Sequence, residues 1–279
     1  MSVLLFTSLV LAGSFIAGFL GALTGLGGGV VIVPLLALVF HVDMRYAIGA
    51  SLVSVIATSS GAAAAYLREG FSNIRIGMFL EIATTIGAIA GALIAAHVST
   101  STIAIIFGAV LIYSAYLSLR RQPVHAAPAQ PPSRFVRALH LDGSYPGEHG
   151  PEPYAVHRVP LGFSVMFGAG TLSGLLGIGS GAVKVLAMDQ AMRLPFKVST
   201  TTSNFMIGVT AAASAGVYLA RGYIDPGIAM PVVLGALAGS MLGARVLVQV
   251  RTRTLRIVFS AVIVALGVEM IYNGFTGRL

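Results

Sequence analysis

Long apolar stretches separated by short polar turns follow one another along almost the whole chain. Two of these stretches contain glycine clusters, at 25–29 and 177–181. Closely spaced glycines disfavour a helix interior, because each costs about 1 kcal/mol relative to alanine. A membrane span needs about 20 apolar residues, so each cluster is predicted to separate a long helix from a short one. The predicted helical segments are 3–24, 29–40, 46–66, 76–96, 102–119, 160–176, 182–192, 198–220, 226–248 and 254–273.

The second half of the chain repeats the first at an offset of 152 residues. The offset superposes Gly25 on Gly177 and Ser51 on Ser203, and no gap is needed between residues 18 and 116. Chance rarely gives such a register, so the sequence predicts an internal duplication. The predicted units are a first membrane repeat at 1–120, a linker at 121–159 and a second membrane repeat at 160–279.

Composition indicates the class of protein. Of the 279 residues, 56% are hydrophobic and 9% are charged, and the mean hydropathy is +0.91, whereas a soluble domain carries about 25% charged residues. The chain is therefore predicted to be an all-α polytopic membrane protein. Its net charge of +8 indicates basic loops on the cytoplasmic side of the membrane rather than a nucleic-acid partner. The absence of cysteine excludes disulfides.

The basic residues also predict how the chain crosses the membrane. If each repeat crosses five times, the two repeats have opposite orientations, both termini lie outside, and the linker 121–159 is cytoplasmic. An even number of crossings per repeat would leave one pair of basic residues on the outer side of the membrane. Whether the short segments cross the membrane or re-enter stays open. The predicted cytoplasmic residues are Arg68, Arg75, Arg120, Arg121, Arg193, Lys197, Arg251 and Arg253, and the predicted outer ones are Arg45, Arg221 and Arg278.

The glycine clusters are the first candidate for a binding site. Each would expose backbone N–H groups at the start of the following short helix, where the helix dipole favours an anion. In an inverted repeat, two such breaks approach each other near the middle of the membrane. The alternative is that the small residues only let helices pack closely.

Lys184 is the second candidate. It lies about one helical turn after the second glycine cluster, where the first repeat has Ile32. A lysine at this depth costs at least about 2.5 kcal/mol if it is unpaired and faces lipid. We therefore expect it to contact an anionic substrate; the alternatives are pairing with Asp189 or snorkelling to the interface.

Hydroxyl and amide side chains open the segment 198–220. Its first residues are equally consistent with an N-terminal cap, but Thr202, Ser203 and Asn204 lie deeper. Asn204 in particular needs a partner in an apolar core. These side chains suit the oxygens of a small oxyanion, and Ser51 lies at the matching depth in the first repeat.

Few acidic residues lie in the apolar segments. Glu81 and Asp189 are candidates for coupling transport to a proton gradient, since a desolvated carboxyl group can titrate near neutral pH. The alternatives are an interfacial position for Glu81 and an ion pair between Asp189 and a nearby cation, Lys184 or Arg193. Coupling to sodium also stays open.

The linker 121–159 differs from the rest of the chain because it is rich in proline and histidine. It is predicted to be flexible, since it cannot bury enough apolar surface to order itself. Within it, 134–141 is a candidate for a short basic helix lying on the membrane. No metal site is expected, because no zinc-ligand spacing is found among His125, His140, His149 and His157.

The motifs at 21–34, 50–54 and 200–204 resemble those of the sulfite exporter TauE/SafE family, and the resemblance covers about 4–119 and 160–273. It implies secondary transport of small sulfur-containing anions, such as sulfite, sulfoacetate or other organosulfonates, across the bacterial inner membrane. The first repeat has Gly28 where the second has Ser180, and the linker is longer than the resemblance implies. The resemblance bears on Gly25, Gly27, Gly29, Ser51, Gly177, Gly179, Gly181 and Ser203.

The sequence thus predicts an anion exporter that works by alternating access without a cofactor. A passive anion channel, a transporter of a different small anion, or a membrane-embedded binding protein are the alternatives, and a homodimer is left open. An enzyme is not expected, since Ile178 stands where a nucleophile elbow around Ser180 would need glycine. The predicted substrate-binding residues are Gly25, Gly27, Gly28, Gly29, Ser51, Gly177, Gly179, Ser180, Gly181, Lys184, Thr202, Ser203 and Asn204.

Overall fold

A computed structural model describes residues 3–24, 28–68, 72–119, 136, 139, 141–147, 150–247 and 252–277. Within these residues the chain forms ten α-helices and one β-hairpin, which confirms the predicted all-α class. The elements are α1 (Val3–Thr24), α2 (Gly29–Pro34), α3 (Met44–Arg68), α4 (Ile74–Ala95), α5 (Thr100–Leu119), β1 (Gly143–Gly147), β2 (Gly150–Tyr154), α6 (Val159–Leu176), α7 (Gly181–Leu186), α8 (Phe196–Ala220), α9 (Pro226–Leu247) and α10 (Thr252–Thr276).

Five helices in the described part of the chain are long and apolar enough to cross a membrane by length and composition, which confirms a polytopic membrane protein. Many of their large apolar side chains are exposed, as expected for surfaces that face lipid rather than water. The five candidate spans are Leu4–Gly21, Ile74–Ala95, Val159–Leu176, Lys197–Ala220 and Pro226–Gly243.

The two short segments are less regular than predicted. Each begins as a short α-helix, α2 or α7, and ends as a π-helical turn, at Leu35–Val39 and Ala187–Ala191 respectively. A residue in the left-handed conformation follows each turn, His41 with φ 52° and Arg193 with φ 58°. All of these features recur at the offset of 152 residues, so the duplication extends to unusual backbone geometry.

The helices of the two repeats pack against one another in matched pairs. Helix α1 packs on α9, and α4 packs on α6. The offset of 152 residues relates α1 to α6 and α4 to α9, so these two packed pairs are equivalent. Helix α3 packs on α8 and α5 on α10, each against its own equivalent. The two repeats are therefore interdigitated and related by the duplication, while their opposite orientation across a membrane stays a prediction.

Small residues allow the matched helices to approach closely. A Cβ atom at Gly170 would lie 2.1 Å from the carbonyl oxygen of Thr84, and one at Gly18 would lie 2.3 Å from that of Ala236. These two contacts are also equivalent at the offset of 152 residues. Such glycines let backbones approach in membrane bundles, where packing replaces the hydrophobic effect between helices.

We expect Gly170→Ala to lower the free energy of unfolding by about 1–3 kcal/mol, the usual cost of overpacking, because α6 must move away from α4. Gly168→Ala is the matched control on the same helix, since a Cβ atom there meets nothing within 4 Å. Thermal denaturation of both variants in detergent measures the difference. Equal melting temperatures for the two variants would contradict the close α4–α6 approach.

The linker contains a β-hairpin, which differs from the flexible segment that the sequence predicted. Strands β1 and β2 pair in antiparallel register over their whole length. Tyr154, at the end of β2, and Val156 are buried in an apolar cluster with Ile76 of α4 and Val198 of α8. The linker therefore buries Tyr154 and Val156 against the membrane repeats, which composition alone did not reveal. Most of the candidate basic helix at 134–141 lies outside the described residues.

Candidate functional site

The two glycine breaks meet in the core of the protein. A Cβ atom at Gly29, the first residue of α2, would lie 2.9 Å from the carbonyl oxygen of Gly177 and 2.8 Å from the Ser51 Oγ atom. The Ser51 hydroxyl donates a 2.9 Å hydrogen bond to the same Gly177 carbonyl. Three predicted site residues are therefore brought together from α2, α3 and the end of α6.

The second break has a left-handed backbone, which its glycines adopt readily. Gly177 (φ 69°) ends α6, and Gly179 (φ 67°) and Ser180 (φ 46°) follow. Glycine adopts this conformation without steric cost, whereas serine adopts it with strain. The Ser180 Oγ atom is buried and has no hydrogen-bond partner among the described residues.

A small pocket adjoins this break. Ser180, Gly181 and Ser114 contribute its polar groups. Lys184 is not among its lining residues. The Ser180 hydroxyl is therefore buried beside a small pocket whose wall is largely apolar. The apolar lining residues are Val30, Val110, Ile178 and Val183.

Lys184 of α7 is fully buried, so its side chain does not snorkel to an interface. Its Nζ atom donates a 2.5 Å hydrogen bond to the Thr210 hydroxyl of α8. That hydroxyl lies 2.6 Å from the Glu81 Oε1 atom of α4 and donates to it. The structure thus links Lys184 with Glu81 through Thr210, and the charges of the two ionisable groups act on each other.

The acidic partner in this network is only partly satisfied. Glu81 is 7% exposed, and its Oε1 atom also accepts a 3.3 Å hydrogen bond from Thr85. The Oε2 atom is buried without a hydrogen-bond partner among the described residues. The other acidic candidate, Asp189, is 3% exposed in the π-helical turn after α7.

The hydroxyl cluster of α8 divides between two environments. Ser203 donates a 3.3 Å hydrogen bond to the Gly181 carbonyl, next to the second break. Thr202 instead accepts a 3.0 Å hydrogen bond from the backbone N–H of Asn73, at the start of α4. Asn204 is half-buried and lies beside them. Ser203 therefore belongs with the glycine break, whereas Thr202 joins two helix ends.

Asn73 connects the hairpin to the membrane repeats. Its side chain caps α4 by accepting from the Ile76 N–H, and its Nδ2 atom donates to the Leu141 carbonyl at 3.0 Å and the Tyr154 hydroxyl at 2.8 Å. Burial raises the pKa of Tyr154 above its ordinary value, so the phenol stays neutral in this contact. The hairpin is thereby fixed to the ends of α4 and α8.

The remaining predicted residues are placed as follows. Gly28 precedes α2 and is buried, whereas Gly25 and Gly27 lie outside the described residues, as do His125, His140 and His149. Thr210 is the residue that sequence reasoning left without a role. It lies seven positions after Ser203, on the same face of α8, and that spacing of hydroxyl groups along an apolar helix was an available signal.

The fold and site define a multi-pass membrane protein with a buried polar centre between two duplicated units. The model of the family "Sulfite exporter TauE/SafE" matches residues 10–270. The chain belongs to this family, and membership makes it a membrane transporter.

Three relatives carry the same general description. The chain is 29% identical to the probable membrane transporter protein YunE of Bacillus subtilis (strain 168), with 96% of this chain and 98% of the relative covered. It is 26% identical to the probable membrane transporter protein YdhB of the same organism, covering 85% and 89%. It is 25% identical to a probable membrane transporter protein of Xylella fastidiosa (strain 9a5c), covering 93% of each chain. No solved structure matches the chain significantly.

Proposed function

We propose that this chain is a secondary transporter that exports small sulfur-containing anions, such as sulfite, sulfoacetate or other organosulfonates, across the bacterial inner membrane. The observation that carries the proposal is the buried ammonium group of Lys184, one helical turn beyond the second glycine break. A fully buried cation needs an anionic or polar partner. The family name, which refers to sulfite, indicates the substrate class.

The geometry of Lys184 supports a substrate role. An ammonium group has three hydrogen-bond donors, and Thr210 is the one acceptor that the described part of the chain supplies. Two donors are then available for the oxygens of a sulfite or sulfonate group. Ser180, with its unpartnered Oγ atom, and Ser203 supply hydroxyls at the break.

The duplicated packing supports an alternating-access mechanism. The breaks of both repeats converge on one place, where Gly29 meets Gly177. In inverted-repeat transporters such broken helices form the substrate site between the repeats, and rocking of the repeats opens it to either side. We propose the same arrangement here, with the repeats oppositely oriented.

Thermal stability of the detergent-purified protein tests this function. A ligand that binds the native state alone raises its stability, by about 2.7 kcal/mol at a hundred times its Kd. We expect a selective rise in melting temperature with sulfite, sulfoacetate or another sulfonate, and none with chloride, phosphate or sulfate at equal ionic strength. Flux of the selected anion from loaded liposomes, with protein-free liposomes as control, then separates transport from binding. No rise with sulfite or with any sulfonate would overturn the proposed substrate class.

A further inference from the structure

The Lys184–Thr210–Glu81 network joins three helices from both repeats. Lys184 lies on α7, Thr210 on α8 and Glu81 on α4, and the two hydrogen bonds between them measure 2.5 and 2.6 Å. Glu81 comes from the first repeat, whereas the other two residues come from the second. Any change in the network therefore alters contacts at an interface between the repeats.

With Lys184 protonated and Glu81 ionised, the network has no net charge while the anion site is empty, and both residues are buried. A monovalent anion bound to Lys184 would leave one uncompensated negative charge in the core. An unbalanced buried charge costs several kcal/mol, and a carboxylate in that position is neutralised by taking up a proton.

We propose that Glu81 is the proton-binding site of the transporter and that each anion bound at Lys184 is accompanied by one proton on Glu81. This inference rests on the proposed function, because it requires an anion at Lys184. The empty and loaded states are then both neutral in the core. The anion and the proton travel in the same direction, so the cycle is a symport.

Thr210 can accommodate both states of the carboxyl group. Its single O–H now donates to Glu81, but its Oγ1 atom also lies 2.9 Å from the Met206 carbonyl oxygen. When Glu81 gains the proton, the Glu81 O–H donates to Thr210 and the Thr210 O–H turns to Met206. The unpartnered Oε2 atom of Glu81 also favours the neutral acid, which requires fewer donors than a carboxylate.

Few other ionisable groups face Glu81. Helix α6 carries none in its described residues, α8 adds Lys197 in its first turn and Tyr218 near its far end, and α7 with its π-helical turn adds Lys184 and Asp189. On α4 itself, Arg75 is exposed. Lys184 is the charged group that acts electrostatically on Glu81. The hairpin ends at Tyr154, which hydrogen-bonds Asn73 rather than Glu81.

Symport has a consequence for the driving force. An inward proton gradient drives uptake of the anion, so export must be driven by a larger outward gradient of the anion itself. The proton then leaves with it. An exporter that exchanged an outgoing anion for an incoming proton would acidify the compartment that loses the anion, whereas symport makes it more alkaline.

The decisive experiment measures protons taken up when methanesulfonate binds to the purified protein in weakly buffered detergent solution with a pH-indicator dye. Methanesulfonate carries one negative charge and stays ionised near neutral pH, so the protein supplies the signal. We expect about one proton per bound anion, and an affinity that weakens up to tenfold per pH unit as the pH rises through the range where empty Glu81 is ionised. In liposomes loaded with methanesulfonate, we expect the lumen to become alkaline during efflux.

Variants assign the proton to Glu81. Glu81→Gln is expected to bind methanesulfonate with a pH-independent affinity and to lose proton uptake. The matched control is Glu269→Gln, because Glu269 is exposed on α10, far along the chain from the network. If Glu81→Gln does not fold, Thr210→Val and Thr210→Ser provide the second test, since serine keeps the hydroxyl link and valine does not. Valine is expected to reduce proton uptake per anion at least tenfold, and serine to retain it.

The possible results separate the two proposals. If no sulfur-containing anion binds or moves, the proposed function fails and this inference fails with it. If methanesulfonate binds or moves with no proton, or against a proton, the transport function stands and Glu81 is not the coupling site. Unchanged proton uptake in both Glu81→Gln and Thr210→Val would likewise overturn the inference.

Discussion

Replacement of Lys184 by methionine is expected to abolish anion binding and transport and to lower the free energy of unfolding by about 3–5 kcal/mol, the usual cost of breaking a buried charge pair. The reason is local. Lys184 is 0% exposed, and its removal leaves the buried Glu81 carboxylate without the cation to which Thr210 connects it. Methionine keeps most of the side-chain volume, so loss of packing contributes little.

A double variant separates charge from function. Lys184→Met combined with Glu81→Gln removes both charges, and replacing a buried pair by neutral groups of similar volume is often neutral for stability. We expect the double variant to regain most of the stability that Lys184→Met loses, while anion binding stays absent. Chemical denaturation in mixed micelles measures stability, and the shift in melting temperature with sulfoacetate measures binding.

Two outcomes would contradict this account. Wild-type stability in Lys184→Met would mean that the ammonium group does not compensate Glu81. Anion binding retained by a folded Lys184→Met protein would remove Lys184 from the substrate site and leave the glycine breaks with their serines as the remaining candidate.

Much of the architecture could be predicted, because its determinants are local in sequence. Apolar stretches of span length predict membrane helices, and the glycine clusters predict where two of them break. The duplication is visible because both repeats place glycine and serine in the same register, as at Ser51 and Ser203. The structure confirms ten helices among the described residues, and their pairing follows the register.

The buried network could not be predicted in the same way. Thr210 and Glu81 are 129 residues apart in sequence, and no periodicity reports which faces of α4 and α8 meet. The sequence predicts an anionic partner for Lys184, and the acidic residue nearest to it in sequence is Asp189. The structure instead links Lys184 to Glu81. The hairpin was missed for a related reason, since Tyr154 is ordered by burial against distant helices. Tertiary packing decided both cases.

The second large effect is expected at the meeting point of the breaks, from Gly177→Ala. An alanine at φ 69° costs about 1–2 kcal/mol relative to glycine. Its Cβ atom would also lie 2.8 Å from the Ile48 Cγ2 atom and 3.1 Å from the Ile48 carbonyl oxygen, and overpacking adds about 1–3 kcal/mol. Because Ser51 lies one turn beyond Ile48 on α3, the same displacement weakens its hydrogen bond to Gly177.

The matched control is Gly222→Ala. Gly222 has a similar φ of 74°, but a Cβ atom there meets nothing within 4 Å, so this variant measures the cost of the left-handed conformation alone. We expect Gly222→Ala to lose about 1–2 kcal/mol of stability and to transport anions normally, whereas Gly177→Ala loses more stability and its transport. Equal losses in the two variants would mean that the repeats can separate at Gly177 without cost. The breaks would then be a flexible joint rather than a packed site, and a rigid substrate pocket between them could not form.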